Sequence, residues 1–177
     1  MIDARDFLRK HGAAASDAAP SSSAAGKPDD ERQRCYATAV KSLDAAGANE
    51  NGLRRRLRRK EYSAQAIDDA VNRLTRLGFL NDEEYAESLC RRCIRQRMGE
   101  QGFLRQCRAK GVDPAMARRI AAEASSQGLF ERSAEAFATD LASKTAADDA
   151  QARRRRFASA IRSKGQDWVL VRKYLDF

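Results

Sequence analysis

The chain has 177 residues, of which 42% are hydrophobic but only 7% aromatic, a balance that favours thin cores between helices over one thick globular centre. Lys and Arg total 34 against 25 acids, so a net charge of +9 and a pI near 9.8 point to a polyanionic counterpart: nucleic acid, an acidic protein groove or anionic lipid. No apolar run approaches the ~20 residues of a membrane span, and charges at Asp3, Arg5, Asp6, Arg9 and Lys10 replace the apolar core of a secretory signal, so a cytoplasmic protein with four reduced cysteines is expected.

The first segment, residues 1–31, is expected to be a flexible tail. Ala, Ser, Gly and Pro dominate it, as in Pro20-Ser21-Ser22-Ser23 and Gly26-Lys27-Pro28, and without large apolar residues burial cannot offset the entropy of ordering. Residues 2–10 hold Ile2, Phe7 and Leu8 and are read with the tail.

From residue 32 the chain reads as helices, and no stretch alternates like a strand. One pattern recurs about every fifty residues: Leu57-Arg58-Arg59-Lys60, Cys107-Arg108-Ala109-Lys110 and Ile161-Arg162-Ser163-Lys164. An apolar residue stands one turn earlier in each copy (Leu53, Phe103, Phe157), and a capping residue follows (Ser63, Asp113, Asp167). A period of this size means one supersecondary unit stacked several times. The expected fold class is therefore all-α, with three tandem three-helix repeats forming an elongated, curved, right-handed-type helical array. The modules span residues 32–80, 81–130 and 131–177.

Within each module the elements follow in order. The first helix carries an aromatic-Ala pair and an apolar residue one turn on: Tyr36-Ala37 with Val40, Tyr85-Ala86 with Leu89, Phe137-Ala138 with Leu141. The second carries the Arg-x-Lys pattern and ends at Gly111 or Gly165, where a positive φ is cheap; the first module has Glu61 there, so its turn is strained or built differently. The third opens after the cap, most clearly at Asp113-Pro114. It buries a stripe: Ile67, Ala70, Val71 and Leu74; then Ala117, Ile120, Ala121 and Ala124; then Val171, Tyr174 and Leu175. Gly78 and Gly128 close this helix in the first two modules.

Chemistry is sparse. Cys90-x-x-Cys93 lacks a second pair or a His partner, because the only His is His11 in the tail, so both thiols are read as packed core. Asp82-Glu83-Glu84 stands where a helix begins and is read as capping, not as an acid/base pair. With no phosphate loop and no nucleophile–His set, no enzyme activity, cofactor or metal is expected. Trp168, next to the Asp167 cap, is read as a staple over the last helix in preference to a base-stacking platform, and Tyr62 beside Ser63 likewise. The remaining signal is cationic: Arg54 to Lys60, Arg91, Arg92, Arg95 and Arg97, and Arg153 to Arg156 fill the non-apolar positions of three helices. Helix-end charge explains Arg58 and Lys60, but not whole tracts or the excess of +9.

The stretch Leu77-Gly78-Phe79-Leu80-Asn81-Asp82-Glu83-Glu84-Tyr85-Ala86, then Gly102 and Cys107-Arg108-Ala109-Lys110-Gly111-Val112-Asp113-Pro114, resembles the RecX regulatory proteins, and Ile161 to Gly165 is similar to that family's last repeat. The likeness covers residues 32–177. Cys107 stands where the family usually has Leu, and Glu61 and Gln166 stand where Gly and Phe are commoner. The resemblance implies a modulator of the RecA recombinase; together with the sparse chemistry above, a monomeric, non-catalytic regulator is expected. Such proteins lie in the groove of the RecA–DNA filament, usually suppress ATP hydrolysis and strand exchange, and block extension or promote disassembly. The partners implied are RecA and the single-stranded or duplex DNA within its filament. The expected contact surface is Arg55, Arg58, Arg59, Lys60, Arg91, Arg95, Arg108, Lys110, Arg154, Arg162 and Lys164. The alternative is a general helical nucleic-acid-binding protein without RecA specificity.

Overall fold

Side chains of the capping type set where the helices start. Ser63 Oγ accepts from the Ala66 amide, Asp113 Oδ1 from Ala115 and Met116 at 2.9 and 2.8 Å, and Asp167 Oδ1 from Val169 at 2.7 Å. Each supplies an acceptor to first-turn amides that have no partner within the helix. Asn81 and Asp149 do the same for two further helices. The computed structural model describes residues 28–45 and 47–174; the expected tail up to residue 27, with His11, and the stripe position Leu175 lie outside them.

The described residues contain no strand. They form nine helices: α1 Pro28–Ala45, α2 Glu50–Arg58, α3 Ala64–Arg76, α4 Asp82–Arg95, α5 Glu100–Lys110, α6 Pro114–Ser126, α7 Leu129–Lys144, α8 Ala150–Lys164 and α9 Trp168–Val171, with a 3-10 turn Arg172–Tyr174. Helix α1 starts at Pro28, ahead of residue 32. Its first turn holds Asp29, Asp30 and Glu31, which suit the positive helix end. Glu31 also accepts from the Ser63 amide at 2.8 Å and the Ser63 hydroxyl at 3.0 Å, so residues assigned to the tail belong to a packed element.

Contacts divide the chain into two compact units: one from the described residues up to Gly47 with Leu53–Leu77, the other from Ala48–Gly52 with Gly78 onward. In the first, α1 packs on α3 over buried Cys35, Ala39, Ile67, Ala70, Val71 and Leu74. The aromatic-Ala register differs here: Ala37 is exposed and Tyr36 and Val40 are half-buried, because α1 turns its Cys35/Ala39 stripe inward. The Tyr62 hydroxyl lies 2.8 Å from Thr38 Oγ1 and ties the cap region to α1.

In the second unit α4, α5 and α6 enclose Leu89, Phe103, Cys107, Ile120 and Phe130, with the Phe103 and Phe130 ring centroids 6.4 Å apart. Helices α7, α8 and α9 share a second cluster around Phe137, Ile161 and Val171. The two clusters meet where α5 begins and α8 ends. The Gly99 amide donates to the Lys164 carbonyl at 3.2 Å, and Arg105 Nη2 donates to the Arg162 and Ser163 carbonyls at 3.2 and 3.0 Å. A Cβ at Gly102 would overlap the Lys164 carbonyl oxygen, so only glycine allows this approach.

The second-helix turns share one conformation. Gly111 and Gly165 have φ of 77° and 62°, and Glu61 adopts the same left-handed geometry at 62°. The turn after α2 thus takes the conformation of the turns after α5 and α8 at a residue with a Cβ, which carries strain that glycine avoids.

Candidate functional site

The basic tracts separate into structural and free cations once their partners are known. In the first unit the seam Leu53/Leu57 of α2 is fully buried, and the helix distributes its arginines around that seam. Arg54 and Arg56 fall next to it, half-buried: Arg54 pairs with Asp68, and Arg56 Nη1 donates to the Ser42 carbonyl at 3.0 Å. Arg55, Arg58, Arg59 and Lys60 are exposed, and no ion pair holds them among the described residues.

The second unit shows the same division. Arg153 donates to the carbonyls of Thr145, Ala146 and Asp148, fastening the loop before α8, and Arg156 pairs with Asp148 at 3.2 Å. Arg154, between them, is exposed. Arg95 is exposed on α4 one turn from Arg91, which lies 3.5 Å from Glu87. Arg108 and Lys110 are exposed at the end of α5, and Arg162 at the end of α8. Lys164 is half-buried and donates to the Gln96 carbonyl at 3.0 Å, so it also serves the α5–α8 approach.

The other candidates take structural places. Cys35, Cys90, Cys93 and Cys107 are free and buried. Burial pushes the Cys90 thiol up to about 11 and Cys107 to about 12, with the neighbouring thiols adding to the effect at Cys107. Cys93 is raised by burial too, and Cys35 is raised to about 11 by burial and then by the Glu31 charge. A thiol held protonated is a poor nucleophile and a poor metal ligand at neutral pH. Asp82 stands in the first turn of α4, as its place at a helix start implies, and its carboxylate also accepts from the Glu50 amide at 2.7 Å; burial raises its pKa and this hydrogen bond works against the rise. Trp168 is not a buried staple: it is 48% exposed, because Leu170 and Val171 take the inward positions of so short a helix.

Sequence reasoning missed two basic residues of α3, Arg73 and Arg76. The Arg73 guanidinium lies 4.2 Å from the centroid of the Tyr36 ring. Their spacing of one turn, off the Ile67/Ala70/Val71/Leu74 stripe, is the signal that marks them as a separate surface.

No family model matches the chain. The Regulatory protein RecX of Trichlorobacter lovleyi is 30% identical over 152 residues, covering 80% of this chain and 94% of the relative. The chain belongs to the RecX family. The RecX protein of Pelodictyon phaeoclathratiforme is 28% identical over 138 residues, 77% of this chain and 84% of its own length. The fold agrees with solved RecX structures. RecX from Lactobacillus salivarius superposes with a TM-score of 0.69 at 20% identity, covering 82% of this chain and 95% of that one. A second RecX crystal structure gives 0.71 at 15%, covering 82% and 73%. Of the exposed cations, Arg55, Arg58, Arg95, Arg108, Lys110 and Arg162 stand in the last turns of α2, α4, α5 and α8, where cations suit the negative helix end.

Proposed function

We propose that the chain is a non-catalytic inhibitor of the RecA recombinase. It binds as a cytoplasmic monomer in the groove of the RecA–DNA filament and modulates ATPase, strand exchange and filament assembly in DNA repair and the SOS response. The repeating body is taken to be the three modules 32–80, 81–130 and 131–177. The observation that carries the reading is the match over 94% of the length of a relative named Regulatory protein RecX.

The exposed arginines support it physically. Arg55, Arg58 and Arg59 in one unit, and Arg95, Arg108, Arg154 and Arg162 in the other, are solvated cations available to a partner that carries DNA. No described helix is long and apolar enough to cross a membrane.

Added to RecA on single-stranded DNA, the protein is expected to lower the DNA-dependent ATPase rate. An unchanged rate at micromolar excess would remove the reading. Binding to single-stranded DNA that falls steeply with salt and is identical with and without RecA would favour the general nucleic-acid-binding alternative.

A further inference from the structure

A groove of about 670 Å³ runs between α1 and α3 in the first unit. Arg32, Tyr36, Asp69, Asn72, Arg73 and Arg76 line it. Arg32 Nε is 3.0 Å from Asp69, so that cation is neutralised within the groove. Arg73 and Arg76 have no ion-pair partner among the described residues, and Arg73 is held in place by the face of Tyr36. The Tyr36 hydroxyl is buried without a hydrogen-bond partner. Leu77 is 46% exposed one turn beyond Arg73.

Both arginines, Arg73 and Arg76, stand in the last turn of α3, where cations suit the negative helix end, but the corresponding helix α6 forms without them. With Ser63 and Asp113 as equivalent caps, Asn72, Arg73 and Arg76 correspond to Ala122, Glu123 and Ser126 of α6, which forms the same helix without them. We infer that the α1–α3 groove is a docking site for an acidic peptide segment of a partner protein, with side-chain carboxylates on Arg73 and Arg76 and an apolar side chain against Leu77. Two guanidiniums one turn apart suit paired carboxylates, which each can bind bidentately. Nucleic acid fits less well. Arg73 already covers the face of Tyr36 on which a base would stack. The inference is independent of the RecA reading, since the chemistry of the groove and not the identity of the partner carries it.

The test uses the full chain and a fluorescein-labelled peptide rich in Asp and Glu with one Leu, followed by anisotropy. The same peptide with Asn and Gln in place of the acids, and an unlabelled single-stranded oligonucleotide as competitor, serve as controls. Saturable binding to the acidic peptide alone is expected, weakened about tenfold or more by Arg73→Gln with Arg76→Gln and unchanged by Arg118→Gln on α6. Arg76→Gln alone, which leaves the Arg73–Tyr36 contact intact, should weaken binding measurably without altering the thermal melt. Absence of saturable binding, equal loss with Arg118→Gln, or full competition by the oligonucleotide would each overturn the inference.

Discussion

Glu61 is the one second-helix turn residue of the three that bears a Cβ in the left-handed region. That conformation costs a residue with a side chain ~1–2 kcal/mol, while glycine forfeits part of the gain through its freer unfolded chain. Glu61→Gly is therefore expected to raise stability by about 0.5–1 kcal/mol, read as a higher urea midpoint with an unchanged slope. A loss of stability would mean that the Glu61 side chain makes a compensating contact. The thiols give a pH dependence of definite sign. Folded-state values of about 11 for Cys90 and about 12 for Cys107 lie above the 9.0 of a free thiol, so the native state keeps protons that the unfolded chain releases. That contribution is present in full below about pH 9 and is lost as pH rises through about 11 to 12. Urea titrations across this window should show falling stability. A Cys90→Ala/Cys107→Ala variant, weaker at neutral pH, should fall less steeply; equal slopes would contradict the assignment.

At the scale of elements, α5 approaches α8 so closely that Gly102 has no room for a Cβ. Gly102→Ala is expected to cost ~1–3 kcal/mol by forcing the Lys164 carbonyl away, visible as a lower melting temperature, whereas Ala109→Ser on the exposed side of α5 should change little. The helices themselves were legible in the sequence, because caps and apolar stripes act locally: Ser63, Asp113 and Asp167 cap where spacing places them, and Leu53/Leu57, Phe103/Cys107 and Phe157/Ile161 are buried together. Tertiary partners were not legible. The start of α1 at Pro28 has a local signal, the proline followed by Asp29, Asp30 and Glu31, but the contact of Glu31 with Ser63, 32 residues away, has none, and the exposure of Trp168 depends on which residues of a four-residue helix reach the α7–α8 core. The α1 register shifted for the same reason, since Cys35 and Ala39 fit against α3 and Ala37 does not.

For the whole molecule, the net charge of +9 fits the proposed polyanionic counterpart, but counting cations overstates the surface available to it. Arg54, Arg56, Arg105, Arg153 and Arg156 bind carboxylates or carbonyls of their own units, which no tract in the sequence reveals. Arg55, Arg58, Arg95, Arg108 and Arg154 remain solvated, and these carry the proposed role. Replacing them should leave the fold unchanged, because they lie off every buried stripe. Affinity for the nucleoprotein partner should weaken with rising salt, and less steeply once they are removed. The most direct measurement is disassembly of preformed RecA filaments on single-stranded DNA, comparing the native chain with an Arg58→Glu/Lys60→Glu/Arg108→Glu/Lys110→Glu variant of equal helix content. The account predicts that the native chain accelerates filament loss and the variant does not. Equal activity of the two, or no effect of the native chain on the filament, would contradict it.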